Sequence, residues 1–463
     1  MELRYPGSLH NHSEYSNFRL RDAISRTKEL MELAVSYGQE VIAFTEHETI
    51  ANAVQIENEY KKIKEKNPNF KVIRGNEIYL CRDGLNGQNF IRGEDKYFHF
   101  ILLAADAIGH EQIRELSTRA WLRSYMTGKM RRVPTYYSDL IEIIKTNPGH
   151  VIGSTACLGG FLPTKLLQWR EKEGIEKDNY YWQIKNWLYC MENIFGKGYF
   201  YLEMQPSTNE EQIFVNKEIL KLANELNIPY IITTDTHYAK KEDAPIHSAF
   251  LNSQDGDREV ASFYASTYLM QSEEIESYIN YLTEEELTKA YKNIIDIKNK
   301  CEDYSLLKPL KIPSLKWKEP KGTYTIFEYE RYFKNIPYLK VFYDSDFEGD
   351  KRMVDLIIDK FESDERLRTE ETYKELNKNL EATWISSEVN KAHWSAYFLN
   401  LQNVLDVCWK AGSLVGPGRG SGVGFLLLYI LELTQINPLW ETTRTFGWRL
   451  TAGSKASSAW RQA

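Results

Sequence analysis

"SLHNHSEYS", residues 8–16, sets His10 and His12 two positions apart. On an extended strand, side chains at i and i+2 leave the same face, so both imidazoles point one way. A lone HxH pair is common on surface strands and says little. It gains weight from what stands at the ends of other β-rich runs. Glu46 and His47 close "VIAFTEH" (41–47), Glu77 lies in "IRGNEIYL" (73–80), and His99 opens "HFILLAA" (99–105). Cys157 sits in "GSTACLGG" (153–160), and Asp235 and His237 end "YIITTDTH" (230–237).

Working outward, short β-rich runs alternate with amphipathic helical patterns up to about residue 270. One such helix spans Arg26 to Tyr37, after a possible Ser25 cap and before Gly38. This alternation predicts an α/β domain with a mostly parallel sheet or barrel. In a parallel barrel the strand C-termini share one face, where nine potential ligands of His, Asp/Glu and Cys type would converge. From Ser272 the pattern turns to charged helix, followed by the Pro- and Lys-rich connector "LLKPLKIPSLKWKEPKG" (306–322). More helices follow, notably Glu370 to Glu388 and Ser395 to Ala411, and then a glycine-rich loop. The expected division is a barrel domain over 1–270, a mostly helical region over 271–449, and a divergent tail over 450–463.

Composition sets limits. Hydrophobic content of 42% and charged content of 27% suit an ordinary globular protein. The start lacks a signal-peptide pattern, and "FLLLYILEL" (425–433) is too short to span a bilayer. The five scattered cysteines show neither a disulfide framework nor a CxxC zinc pattern, so a reducing cytoplasm is expected, with no membrane partner. A net charge of −7 argues against a wholly basic nucleic-acid coat, though not against a local basic groove. "RAWLRSYMTGKMRR" (119–132) is one such place, with Trp121 and Tyr125 among its basic residues; a solvated helix face explains it equally well.

Imidazole and carboxylate together suit zinc, manganese or iron, and a cluster with open positions suits hydrolysis. Several ions close together would clamp a phosphodiester and acidify a water molecule for attack on phosphorus. His110, His150, His247 and His393 lack such company and read as surface or packing residues.

The motifs HxH, "FTEH", "GNE", "HFILLA", "ACLGG", "YLEMQ" and "TTDTHYA" resemble the PHP (polymerase and histidinol phosphatase) domain. They are most similar to its version at the N-terminus of the bacterial DNA polymerase III alpha subunit. "STRAWLRSYMTGKMRRVPTYYSDL" and "TDTHYAKKEDAPIHSAFL" agree with that closer match, which runs from about Ser8 to Trp448. The resemblance implies a distorted (β/α)7 barrel with a trinuclear metal centre, followed by a partial polymerase palm. By motif, the ligands fall on His10, His12, Glu46, His47, Glu77, His99, Cys157, Asp235 and His237. Many family members have Asp where this chain has Glu46. The implied activity is metal-dependent 3′–5′ exonuclease chemistry, with His10, His12, Glu77, Asp235 and His237 at its centre.

"VGPGRGSGVG" (415–424) resembles the same family's triphosphate-binding loop, placed after "SAYFL" and before an apolar helix and "INPL". Glycines let backbone amides approach phosphate oxygens closely, and a guanidinium fork suits a phosphate. Gly418, Arg419, Gly420 and Ser421 are therefore the expected cradle for a deoxynucleoside triphosphate, with the hydroxyl of Ser421 at a helix start. Polymerisation also needs carboxylates to hold magnesium. From Gly422 to Ala463 the only acidic residues are Glu432 and Glu441, and "LTAGSKASSAWRQA" (450–463) departs from the family. Asp344 and Asp346, in "YDSDFEGD" (343–350), precede the loop and read as a solvated acidic turn. The expectation is a replication protein that stops before the palm aspartates, does not polymerise alone, and has DNA and possible replisome subunits as partners. A stand-alone phosphatase or nuclease and a non-catalytic metal-stabilised protein are the competing readings.

Overall fold

The structure is a computed structural model that describes residues 4–18, 21–128, 130–253, 264–313 and 324–440. It divides into two compact units, Met1–Leu307 and Lys308–Ala463.

In the first unit the strands are β1 (Val41–Phe44), β2 (Lys71–Cys81), β3 (Phe98–Ala104), β4 (Tyr125–Thr127), β5 (Met130–Arg132), β6 (Pro134–Tyr136), β7 (Val151–Ser154), β8 (Phe200–Met204) and β9 (Tyr230–Ile232). The main sheet runs β1-β2-β3-β7-β8-β9, with β6 added beside β2; β4 and β5 form a separate hairpin. The β-rich runs around 41–47, 73–80, 99–105 and 230–237 form β1, β2, β3 and β9. Their directions differ from a wholly parallel barrel, because β3 is antiparallel to both β2 and β7. Its first residues therefore lie at the end of the sheet where the parallel strands finish. That reversal carries His99, at the start of β3, to the same face as residues that follow β1 and β9.

The extended chain ahead of β1 closes the curl. Pro6 and Ser8 carbonyls accept from Val41 and Ala43 N–H groups on one side, while His12 N–H donates to the Thr236 carbonyl on the other. Seven extended segments thus surround the core. Gly7 makes the closure possible: its φ is +138°, and a Cβ there would lie 1.8 Å from the Val41 carbonyl oxygen.

The core is built from consecutive residues of these strands, buried on both faces, and from the helices around them. Phe100, Phe195 and Phe200 stack at 5.5–6.3 Å. The helices Ser272–Tyr278 and Glu284–Lys300 break at Thr283, whose hydroxyl accepts from the Glu286 N–H while the Glu286 carboxylate returns the bond. Ile275, Ala290, Ile294 and Ile297 of this pair are fully buried in the first core. Each large side chain buried there contributes about 1.5–3 kcal/mol. Residues 271–307 thus lie in the first unit, and the division falls in the Pro- and Lys-rich connector that the sequence marks as a boundary region, not at residue 270.

The second unit is helical, with helices Ile326–Phe333, Pro337–Tyr343, Glu348–Ser363, Glu370–Asn390, Trp394–Lys410 and Leu426–Ile430. Its own core gathers Ile336, Phe342, Ile357, Phe361, Leu380 and Leu426. The expected apolar helix spans Leu426–Ile430 and follows a 3-10 turn over Gly420–Gly424. No helix among the described residues is long and apolar enough to cross a membrane. The expected tail over 450–463 lies outside the described residues.

Candidate metal centre

Strand ends bring His10, His12, His47, Glu77, His99, Cys157, Asp235 and His237 together. Three groups have ligand atoms within 4.8 Å of one another: His12, His47 and His237; His10, His12 and Glu77; Glu77, His99 and Cys157. His12 and Glu77 each belong to two groups, so the three form one continuous cluster. His10 Nε2 and His12 Nε2 lie 3.1 Å apart, and Asp235 Oδ1 is 3.0 and 3.2 Å from them. Glu77 approaches His47 Nδ1 at 2.6 Å, His99 Nδ1 at 2.8 Å and His12 Nε2 at 3.3 Å. Cys157 Sγ lies 3.3 Å from His99 Nδ1.

The fit to metal ions rests on atoms that hydrogen bonding leaves unserved. Both carboxylate oxygens of Glu77 and Oδ1 of Asp235 are buried, and among the described residues none has a hydrogen-bond partner, close ring nitrogens notwithstanding. Buried carboxylate oxygens without donors are costly unless a cation serves them. Imidazole, carboxylate and thiol at this spacing match divalent zinc, manganese or iron.

Electrostatics follow from burial and from this crowding. Burial, reinforced by the neighbouring His47, drives the His12 imidazole down to about 3, which keeps one ring nitrogen unprotonated. Burial opposes charge on His47 too, but the Glu77 and Asp22 carboxylates outweigh it and raise the ring to about 10. Glu77 is held well below the carboxylate range, burial being overcome by His99 and His47. Burial, then the nearby Asp235 and Glu77, pushes the Cys157 thiol well up.

Several features depart from expectation. Glu46 is not in the cluster. Its carboxylate accepts from Ser13 N–H and hydroxyl, the Ser16 hydroxyl and the Asn52 amide, at 2.5–2.9 Å. Its lone pairs are thereby taken up by the turn after His12 and by Asn52 rather than by the imidazoles. In its place stands Asp22, whose Oδ2 is 2.6 Å from His47 Nε2 and 3.4 Å from His237 Nε2. Asp22 follows no strand in the sequence, so strand-end reasoning had no signal for it. His247, read as a bystander, places Nε2 2.5 Å from the Asp22 backbone carbonyl.

Glu203 was also missed as a site residue, although it lies inside "YLEMQ". It is fully buried and 2.6 Å from His10 Nδ1, and it accepts from Ser154 and Thr233 hydroxyls. A carboxylate on one ring nitrogen leaves the other nitrogen's lone pair aimed at the cluster. Asp235 and Ala156 adopt positive φ (46° and 58°) just beyond β9 and β7, so the turns that aim these ligands carry local strain.

The run 119–132 braces this site. Arg119 pairs with Glu115 and Glu142, and Arg123 forms a two-point pair with Asp139. The indole N–H of Trp121 donates to the Glu48 carbonyl at 2.7 Å, next to His47. Its leading arginines are therefore already neutralised.

In the second unit Gly418 and Gly420 have φ of +139° and +63°, conformations that suit glycine. The loop from Gly416 to Gly420 is exposed, Arg419 included. Ser421 is the second residue of the 3-10 turn and does not open an α-helix. Asp344 and Asp346 are exposed, as expected for a solvated turn.

A curled sheet with a buried His/Glu/Asp/Cys cluster on one face defines a PHP-type barrel, and residues 8–207 match the PHP domain family. Residues 351–448 match the bacterial DNA polymerase III alpha NTPase domain. It is 37% identical over 455 residues to the probable DNA polymerase YorL of Bacillus subtilis (strain 168), and equally to the DNA-directed DNA polymerase of Bacillus phage SPbeta. Both matches cover 93% of this chain and 34% of the relative. Identity to the DNA polymerase III subunit alpha of Borreliella burgdorferi is 25%, covering 93% of this chain and 33% of that one. The chain thus spans about a third of the length of the curated relatives it matches.

Proposed function

We propose that the first unit is a divalent-metal-dependent phosphoesterase that cleaves DNA from its 3′ end, in a replication protein of the polymerase III alpha type. The observation that carries this reading is Glu77, whose two buried oxygens lie within ion-pair distance of His10, His12, His47 and His99. Ions held by these residues with Asp22, Cys157, Asp235 and His237 supply, when bound, charge neutralisation at phosphate and a lowered pKa for water. The chain's own contribution is orientation: Glu203 holds His10, Ser16 lies 2.9 Å from His12 Nδ1, and Trp121 anchors the turn beyond His47. Zinc, manganese and iron all suit this donor set.

Gly418, Arg419, Gly420 and Ser421 are proposed to hold a deoxynucleoside triphosphate. Between Gly416 and Trp440 the only acidic residue is Glu432, and it is paired with Lys360 at 2.7 Å. The described loop therefore has no carboxylate pair for magnesium, and polymerisation is assigned to no residue here. DNA is the proposed partner, other replisome subunits are possible ones, and the cytoplasm is the proposed location. Digestion of 3′-labelled single-stranded DNA with added manganese, with and without chelator, tests the phosphoesterase. Absence of chelator-sensitive shortening by metal-loaded protein would refute it in favour of a metal that only braces the barrel.

A further inference from the structure

Within the run 119–132, Arg119 and Arg123 already face carboxylates, and a second set of cations is better placed to meet a nucleic-acid strand. They lie beside the His99 edge of the metal centre. His99 N–H donates to the Gly159 carbonyl, and Gly160 leads directly into the helix Phe161–Arg170. Phe161 packs edge-on against Phe98 at 5.1 Å, so the first turn of that helix sits against the start of β3. One turn further on, Lys165 Nζ lies 5.8 Å from the Phe161 ring and 5.3 Å from the Tyr180 ring. Lys96 stands three residues before His99 in the chain and is exposed. Partial burial, then the charge of Lys96, holds the Lys165 ammonium below its usual range. Among the described residues neither lysine has a carboxylate at ion-pair distance, whereas the adjacent Lys172 is matched by Glu176 at 2.6 Å. A half-buried lysine against two aromatic faces, with an exposed lysine beside His99 and no carboxylate at ion-pair distance from either, forms a surface that favours an anion.

We propose that Lys96 and Lys165, flanked by Phe161 and Tyr180, form a docking surface for a single-stranded polynucleotide, leading its phosphates to the His99 edge of the metal centre. The pairing of cation and ring suits a backbone phosphate with a neighbouring base more than a compact phosphate ester. The proposal rests on the phosphoesterase reading for its purpose, but its test does not require hydrolysis.

The test is fluorescence anisotropy of labelled oligo-dT with the full chain in chelator-containing buffer, as a function of salt. Replacing both lysines (Lys96→Gln with Lys165→Gln) should weaken binding about tenfold at low salt. It should also reduce the slope of log K against log[salt] by about 1.4, roughly 0.7 per single-strand phosphate contact. The arginine pair, Lys96→Arg with Lys165→Arg, should restore both, which separates lost charge from lost folding. Equal affinity and slope in wild type and glutamine variant would overturn the proposal. Displacement of the strand by thymidine monophosphate at equal phosphate concentration would overturn the polynucleotide as ligand. Lysine-dependent binding without any metal-dependent hydrolysis would remove the phosphoesterase reading and leave this surface standing; hydrolysis with lysine-independent binding would do the reverse.

Discussion

Asp22 Oδ2 lies 2.6 Å from His47 Nε2, with both side chains buried. The pair joins a loop that follows no strand to the residue that follows β1. The same oxygen reaches toward His237, so one carboxylate ties three distant parts of the chain to the metal cluster. Asp22→Asn should therefore lower the bound metal by about one ion per chain, read by elemental analysis, with a matching loss of hydrolysis. An unchanged metal content would reduce Asp22 to a packing role.

Glu46 should behave in the opposite way. Removing its carboxylate in Glu46→Ala strands donors from Ser13, Ser16 and Asn52, at about 1–3 kcal/mol for buried groups left unpaired. Denaturant unfolding should show a loss of roughly 2–3 kcal/mol, with metal stoichiometry preserved in the folded fraction. Selective loss of metal at unchanged stability would return Glu46 to the ligand set.

Glu203→Gln keeps the shape but removes the charge that orients His10. Titration with zinc or manganese should show affinity reduced by about 10–100-fold, the range typical for partners of metal-binding histidines. Wild-type affinity in this variant would show that His10 is held by its surroundings alone.

Trp121→Phe retains the ring and deletes the N–H that the Glu48 carbonyl accepts. About 1 kcal/mol of stability should be lost. If the bond positions His47, metal affinity should fall as well, which a purely structural bond would not cause. Calorimetric metal titration of folded variant separates these outcomes.

Glu57 provides a pH test away from the metal. Burial alone would raise its pKa, but Lys61, the Ser305 hydroxyl, the Leu306 N–H and Arg74 together bring it from 4.5 down to about 2. A carboxylate with a depressed folded pKa adds stability above its unfolded value and loses it as pH falls toward the folded one. The contribution should thus be full above about pH 5 and fade between 4.5 and about 2. Glu57→Gln should flatten that part of the stability-versus-pH curve; identical acid limbs for variant and wild type would contradict the assignment.

Much of this was legible in the chain. Buried strands need runs of apolar residues, so β1, β2, β3, β7, β8 and β9 stand out, and the period of two put His10 and His12 on one face. Thr283 and Glu286 even signalled a helix start, although the charged pattern around them read as one continuous segment. The tertiary structure alone decided the direction of β3, the inclusion of residues 271–307 in the first core, and the division of labour among carboxylates. Apolar periodicity is the same for a strand run in either direction, so the antiparallel β3 that delivers His99 was invisible. Asp22, Glu46 and Glu203 are chemically alike in sequence. Which one faces an imidazole nitrogen, and which is filled by hydroxyl and amide donors, depends on neighbours that only folding brings within 3 Å.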